Sequence, residues 1–361
     1  MASASVRASE LAQTFLPAER QANLPWDRLA EWLRASGHDV GDLAPRQFSG
    51  GVANLNYLLR VDEVDMVLRR PPAGNLAEGA SDMAREWRVL RSLNAAYPLA
   101  PRGISFCDDV SVIGAPFQLM EYRPGVGIGA RLPDEWAEDT TVVPRLVDQL
   151  LDAMARLHAV DPVSAGLGDL GRPESFLERQ VAGWERRAAA AYDGQPVPEV
   201  AAVLSWLRQH VPADQCIALL HGDLKLDNLL VHPVSREAVA VVDWDMATRG
   251  DPLFDLGVLL AYWVQWDDPA ELRALEQVPS LEPGAPDRST VASGYFDRAG
   301  LSARDLSFYF TLGRLRLAIA WQQLYVLHGR ASRPDPRYSG FSDIATAVLM
   351  WTADTLDESP I

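Results

Sequence analysis

The sequence predicts an α+β fold with a small sheet in its first third and helices dominating the rest. Two pairs of short turn-bounded β-forming runs flank one helical stretch before residue 123. Beyond it, apolar residues recur at helical spacing. A compact β-rich patch over 216–242 interrupts those helices. The order β-β-α-β-β suits a small mixed sheet with one helix rather than a parallel βαβ series.

Residues 1–23 are small and polar and read as a loose arm. Leu24-Pro25-Trp26-Asp27 opens a helix carrying Leu29, Trp32 and Leu33, which stops near Gly37. The Gly-centred run Gln47 to Asn54 reads as a turn. Tyr57–Val61 and Met66–Arg70 follow as strands, with Glu63 and Asp65 around the turn between them, and Pro71-Pro72-Ala73-Gly74 ends the pair. Asp82–Leu93 has a helical period with Met83, Trp87 and Leu90 on one side. Ile104–Phe106 and Phe117–Tyr122 read as strands separated by a polar turn. Arg123-Pro124-Gly125 marks a linker. The division expected is an arm and helix over 1–44, a first lobe over 45–122 and a second over 123–361.

In the second lobe Leu146, Leu150, Leu151, Met154 and Leu157 form a stripe ending at Asp161-Pro162. Residues 176–192 and 199–211 read as helices. Strands follow at 216–220, 228–232 and 238–242. Helical spacing restarts at Leu256, Leu259, Leu260 and Trp263. Residues 266–290 are acidic and Pro-rich, and Leu306–Leu327 reads as a long helix. No internal repeat appears.

With 361 residues, 48% hydrophobic and 23% charged, the chain has an ordinary globular composition for two domains or one large one. It carries 33 basic against 49 acidic residues, a net charge of −16. Such a surface repels phosphate backbones and anionic lipid, so neither nucleic acid nor a membrane is the expected partner. A nucleotide that brings its own magnesium remains compatible with it. Cys107 and Cys216 provide neither a disulfide framework nor zinc spacing. The first fifteen residues lack the apolar run of a signal peptide. The longest apolar run, Leu256–Val264, is about half what a membrane span needs. A cytoplasmic location is expected.

The informative stretch is Leu220-His221-Gly222-Asp223-Leu224-Lys225-Leu226-Asp227-Asn228, with Asp243-Trp244-Asp245 downstream. One short strand delivers His221 and Asp223 into a loop, the next opens at Asn228, and a third ends at Asp243. Three short strands can thus bring Asp223, Asn228 and Asp243 to one mouth. Two carboxylates and an amide oxygen are hard ligands that suit Mg²⁺. Phosphoryl transfer needs that metal, plus one carboxylate to take the acceptor's hydroxyl proton. An Asp-Asn pair before a strand also occurs as a plain turn; the matched spacing is what lifts this one above that.

The stretch resembles the kinase catalytic loop H-x-D-L-x-x-x-N, with Gly222 in place of Arg and Trp244 in place of the Phe of D-F-G. Those departures, with Gly250-Asp251-Pro252 and Asp255-Leu256 downstream, resemble the aminoglycoside phosphotransferase family over roughly residues 45–330. The resemblance implies a protein-kinase-like bilobal fold with its active site between the lobes. It also implies Mg²⁺-dependent transfer of the γ-phosphoryl of ATP to a small-molecule hydroxyl acceptor. Asp223 would be the catalytic base. Lys225 would touch the transferred phosphoryl, though relatives often have His there. Asn228 and Asp243 would hold the metal. Asp245 would either assist the metal or be a solvated or capping Asp. His221 would be a loop brace, and Asp255 a structural group capping its helix.

By the same resemblance Arg69 lines up with the cation of V-A-I-K, and Glu86, 17 residues on, is its pairing candidate. Strand alternation puts Arg69 and Arg70 on opposite faces, so only one can serve. Ser49, Gly50 and Gly51 would belong to the phosphate-covering loop, and the backbone of Glu121 and Arg123 would form the hinge that meets adenine. A rival motif, Gly125-Val126-Gly127-Ile128-Gly129-Ala130, fits a dinucleotide fingerprint. It lacks the helix and second strand that such a fold requires, and reads as linker.

For the acceptor two expectations compete. The acidic segment 267–297 would suit a cationic aminosugar, though a solvated acidic loop explains it better in a chain of net charge −16. Arg314-Leu315-Arg316-Leu317-Ala318-Ile319 is similar to the branch of the family associated with acyl-CoA dehydrogenases, which implies a hydroxy acid or hydroxyacyl-CoA held by these arginines. A nucleotide-binding pseudokinase without turnover is the rival from another class. The absence of an A-P-E segment after Asp243 argues against a protein acceptor.

Overall fold

The computed structural model describes residues 15–49, 54–72, 82–213, 216–274, 277–330 and 336–356. The chain forms two compact units. The first comprises Met1–Gly127, Val163–Gly168 and Leu229–Ala247; the second comprises Ile128–Pro162, Asp169–Asn228 and Thr248–Ile361.

The first unit opens with α1 (Trp26–Ala35), which buries Leu29 and Leu33 one turn apart and ends before Gly37 at φ 92°. A five-stranded sheet follows, of β1 (Arg46–Gln47), β2 (Leu55–Val61), β3 (Val64–Arg70), β4 (Gly103–Cys107) and β5 (Phe117–Glu121), in the order β1-β2-β3-β5-β4. Helix α2 (Met83–Leu93) connects β3 to β4, and β5 lies between them. Every neighbouring pair is therefore antiparallel, where the sequence suggested a mixed sheet. The β2–β3 turn has Asp62 at φ 52° and Glu63 at φ 58°, the left-handed pair of a tight hairpin, without a glycine. Asp62 tolerates it because its carboxylate accepts the Asp39 N–H at 2.6 Å and meets His38 Nδ1 at 2.7 Å.

Asp82 caps α2 by accepting the Arg85 N–H at 3.0 Å. Met83, Val89, Leu90 and Leu93 form the buried face of that helix. The polar turn expected before β5 contains a one-turn helix, α3 (Val110–Ile113), too short to show a period. Tyr57, Leu59, Leu68, Phe117 and Leu119 pack under α1 in the core. The glycine-rich segment after residue 124 forms no helix. Val126 bridges Val231 instead, and a Cβ at Gly125 would lie 2.6 Å from the Val239 side chain.

In the second unit α4 (Val142–His158) buries the Leu146–Leu157 stripe. Then come α5 (Phe176–Ala191), α6 (Pro198–Gln209) and β6 (Ala218–Leu220). Strands β7 (Leu229–Val231) and β8 (Ala238–Val241) form a hairpin that belongs to the first unit, and β9 (Thr248–Gly250) pairs antiparallel with β6. Helices α7 (Leu253–Tyr262), α8 (Ala270–Arg273), α9 (Arg288–Ala299), α10 (Ser307–Leu324) and α11 (Phe341–Asp354) complete the chain. The acidic stretch thus holds α8 and runs into α9, and the long C-terminal helix widens into a π-turn over Tyr325–Gly329. No helix among the described residues is long and apolar enough to cross a membrane.

Helix α7 is buried nearly all round, and α10 crosses it at a pair of glycines. A Cβ on Gly257 would lie 2.5 Å from the Tyr309 carbonyl oxygen, and one on Gly313 would lie 2.5 Å from the Gly257 carbonyl oxygen. Backbone meets backbone here, so no side chain can swing away. Gly257→Ala is expected to destabilise the protein by about 1–3 kcal/mol through overpacking, read as a lowered denaturant midpoint. Wild-type stability in that variant would mean that the helices are not in contact at this crossing.

Candidate active site

The first unit places one cluster of charge around β3. Arg69, opposite Gln118 in the β3–β5 register, is 7% exposed. Its Nε lies 2.9 Å from Glu86 Oε2 on α2; its Nη2 bonds Asp243 Oδ1 and lies 3.9 Å from Asp245 Oδ2. Glu86 is fully buried and also accepts the Trp244 N–H at 3.3 Å. Burial opposes the Arg69 charge, but Glu86, Asp243 and Asp245 outweigh it and raise its pKa. Burial pushes the Glu86 carboxyl up, against the pull of Arg69.

Asp243 sits at φ 69° and starts the short turn Trp244–Met246. Trp244 is buried, donates its indole N–H to the Val241 carbonyl at 2.8 Å and meets Tyr97 edge-on. The Arg85 guanidinium donates to the Ala247 carbonyl, so α2 grips this turn at both ends. Arg70 points away from the cluster and donates to the Pro71 and Ile113 carbonyls.

Ser49 is exposed, and Gly50 and Gly51 lie outside the described residues. Glu121 ends β5. Its N–H donates to the Arg102 carbonyl, and its carboxylate pairs with Arg123 at 3.1 Å and Arg102 at 3.5 Å.

The second unit carries the loop after β6. Asp255 on α7 accepts the His221 N–H at 2.8 Å and the Gly222 N–H at 2.9 Å. His158 Nε2 stands 3.2 Å from the same carboxylate, and His158 Nδ1 lies 2.8 Å from the Tyr295 hydroxyl. Burial alone would raise the pKa of Asp255; His158 and His221 hold it below its ordinary value. The buried His221 accepts the Asp223 N–H on Nδ1 at 3.3 Å, the arrangement of a brace.

Asp223 Oδ2 lies 2.7 Å from Lys225 Nζ and 3.4 Å from Asn228 Nδ2, and its Oδ1 lies 3.5 Å from Arg316 Nη2. Burial works against its charge, yet Lys225 and Arg316 bring the Asp223 carboxyl down to about 2. Lys225 also pairs with Asp227 at 3.2 Å and stands 5.1 Å from the Tyr262 ring centroid. Burial, with Asp223 beside it, pushes the Tyr262 phenol up to about 12, so it remains a neutral hydroxyl. Asn228 donates its amide N–H to the Asp223 carbonyl at 2.8 Å.

Sequence reasoning did not anticipate Arg85, His158 or Tyr262, and it placed Arg314 and Arg316 at an acceptor. Arg316 instead donates to the Gly222 carbonyl and faces Asp223. Arg314 is 3% exposed, lies over the Phe310 and Trp351 rings and donates to Thr355 Oγ1 at 2.8 Å, so it is not presented to a ligand. The only sequence signal for either role was a run of cations inside an apolar helix, where a charge must be satisfied internally. Among the described residues no group of three His, Cys, Asp or Glu side chains is arranged to hold a metal ion.

A helix-supported cation–carboxylate pair on a small antiparallel sheet, and, in the other unit, an H-G-D loop clamped from a buried helix, are features of a protein-kinase-like fold, which solved phosphotransferases share. Residues 45–291 match the model of the phosphotransferase enzyme family, and the chain belongs to that family. It is 32% identical over 343 residues to mouse (Mus musculus) acyl-CoA dehydrogenase family member 10, covering 93% of this chain and 32% of that protein. The chain thus spans about a third of the length of the curated relatives it matches. Among solved structures, a candidate aminoglycoside phosphotransferase from Ralstonia eutropha is 26% identical, covers 93% of this chain and 99% of its own, and has a TM-score of 0.76. The aminoglycoside phosphotransferase APH(4)-Ia, solved with AMP-PNP and hygromycin B, shares the fold at 16% identity and a TM-score of 0.61, covering 91% of this chain and 99% of its own.

Removing one partner of a buried pair leaves the other charge stranded. Glu86→Ala is therefore expected to cost about 3 kcal/mol or more of stability, measured by chemical denaturation. An unchanged midpoint would show that Asp243 and Asp245 suffice to hold Arg69.

Proposed function

We propose that the chain transfers the γ-phosphoryl of ATP to the hydroxyl of a small molecule, and that this acceptor is a hydroxyacyl thioester of coenzyme A or a hydroxy acid. The observation that carries the reading is the Asp223 carboxylate, ionised and fixed between Lys225, Arg316 and Asn228 at the end of a clamped loop. Asp223 would accept a hydrogen bond from the acceptor hydroxyl and orient its oxygen for attack on the γ-phosphorus. As that O–P bond forms and the β–γ bridging O–P bond breaks, the hydroxyl proton passes to Asp223 and on to solvent, leaving ADP and a phosphate monoester. A carboxyl near 2 is a weak base, so the transfer belongs late in the reaction, when the hydroxyl has become acidic. Lys225, kept protonated by Asp223 and Asp227, would meet the oxygens of the transferred group.

Asp243 and Asn228 would be the residues that hold Mg²⁺, since a carboxylate and an amide oxygen are hard donors. Asp243 offers a carboxylate that is 37% exposed, and the Asn228 amide nitrogen is tied to the loop, which leaves its oxygen as the donor atom. Magnesium bound there would neutralise charge building on the phosphates. Arg69, steadied by Glu86, would serve the α- and β-phosphates, and the backbone at Glu121 and Arg123 the adenine.

The relationship to acyl-CoA dehydrogenase family members supports a thioester acceptor. The acidic stretch gives little support to a cationic one. Asp268 is buried against Arg288, and Asp287 caps α9 by accepting the Thr290 N–H.

A 4-hydroxyacyl-CoA is expected to drive ADP release faster than a kanamycin-type aminoglycoside at equal concentration. Turnover of the aminoglycoside alone would reverse that choice. Asp223→Asn should lower turnover by about 10²–10⁴ with ATP binding retained. Arg69→Ala should raise the KM for ATP, and Asp243→Ala should remove the magnesium dependence of ATP binding. ATP binding by the wild type with no turnover of any acceptor would make it a pseudokinase.

A further inference from the structure

A cavity of about 210 Å³ in the second unit is lined by Arg131, Tyr262, Trp266, Arg273, Ser280 and Glu282, with apolar neighbours. Tyr262 joins it to the catalytic loop: this lining residue has its ring centroid 5.1 Å from Lys225 Nζ, itself 2.7 Å from Asp223. We propose that this cavity is the acceptor subsite, and that Arg273 and Arg131 there, with Trp266 as a flat platform, select an acceptor bearing a carboxylate or phosphate. The assignment rests on the phosphotransferase reading above.

Three observations carry it. The charged lining consists of two arginines against one glutamate, a positive site in a chain of net charge −16. Asp268, two residues from Trp266, is committed elsewhere: it accepts the Gln265 N–H at 2.8 Å and pairs with Arg288. Second, the Arg273 Nε–H is buried and has no hydrogen-bond partner among the described residues. A buried donor left so is costly, and an anion in the cavity satisfies it with a charge-assisted bond. Third, Trp266 is 69% exposed at the cavity. A large aromatic held in solvent beside two guanidiniums suits a planar or apolar group carrying the anion. The volume is adequate, since about 150 Å³ accommodates benzene.

The test uses three ligands that share a ring and a primary hydroxyl and differ in charge: 4-(hydroxymethyl)benzoate, its amide, and 4-(hydroxymethyl)benzylamine. Their affinities for the full chain are measured by calorimetry, and ADP release is followed in parallel. The carboxylate is expected to bind about tenfold tighter than the amide, and the amine weakest. Arg273→Gln with Arg131→Gln should erase the carboxylate's advantage, and Trp266→Ala should weaken all three together. Equal affinity of the three for wild type overturns the assignment without recourse to any variant. So does absence of saturable carboxylate binding up to its solubility limit, or an advantage that survives in a folded double variant. A charge preference in binding with no ADP formed from any acceptor, hydroxyacyl-CoA included, supports the anion site and sinks the transfer reading. Turnover without charge preference does the reverse.

Discussion

A guanidinium withdrawn from water must be matched by carboxylates, and in the first unit that constraint falls on Arg69. Leaving it unmatched would cost several kcal/mol. Glu86 reaches it from α2, and Asp243 and Asp245 reach it from the turn after β8. Two segments far apart in sequence are thereby tied to one strand. The β3–β5 register decides that Arg69 faces this cluster while Arg70 serves carbonyls behind it. An arginine suits the position better than a lysine, because its planar fork directs Nε at one carboxylate and Nη2 at another. The grip is completed by backbone: α2 holds the Trp244 N–H through Glu86 and the Ala247 carbonyl through Arg85. Asp243 can then sustain its left-handed conformation, uncommon for a residue with a Cβ.

The second unit solves the same problem with the charges reversed. There a buried carboxylate, Asp255, is matched by two successive backbone N–H groups and a histidine, which fixes the bend of the loop at His221 and Gly222. The loop's other side is held by Arg316, and Arg316 is in place only because α10 lies against α7 without side chains at the Gly257–Gly313 crossing. The α7–α10 crossing therefore sets the position of the Asp223 carboxylate through Arg316. Asp223 ends with cations on both oxygens and a low basicity, which suits holding a hydroxyl more than stripping it in the ground state.

Much of this was legible in the residues. Strand and helix periods located the sheet, α2 and α4, and the spacing from His221 to Asp255 marked the loop. Alternation along β3 separated Arg69 from Arg70. What escaped had a physical reason in each case. The turn between β2 and β3 was placed, but not its conformation: Asp62 and Glu63 are both left-handed with no glycine to advertise it, because the support comes from His38 and Asp39 elsewhere in the chain. Arg85 looks like any helical arginine beside a buried position. Arg314 and Arg316 are two residues apart on one helix and so point in different directions. One enters an aromatic cage and the other reaches the loop. No local pattern distinguishes those destinations, since both depend on which helix arrives opposite.

That ambiguity extends to charge. Among the described residues the buried cations are Arg69, Arg70, Lys225, Arg288, Arg314 and Arg316, against the buried acids Glu86, Asp251, Asp255 and Asp268. That buried set is net positive within a chain of net charge −16. A whole-chain charge describes the field a ligand meets at a distance. It says little about a site built from a few side chains whose partners are chosen by the fold. The acidic stretch around residues 267–297 shows the difference: its Asp268 neutralises Arg288 in the core, while Arg273 from the same stretch turns to a cavity with its Nε–H unmet among the described residues. An acidic segment can therefore wall a cationic site, because what counts is which charges the packing has already cancelled.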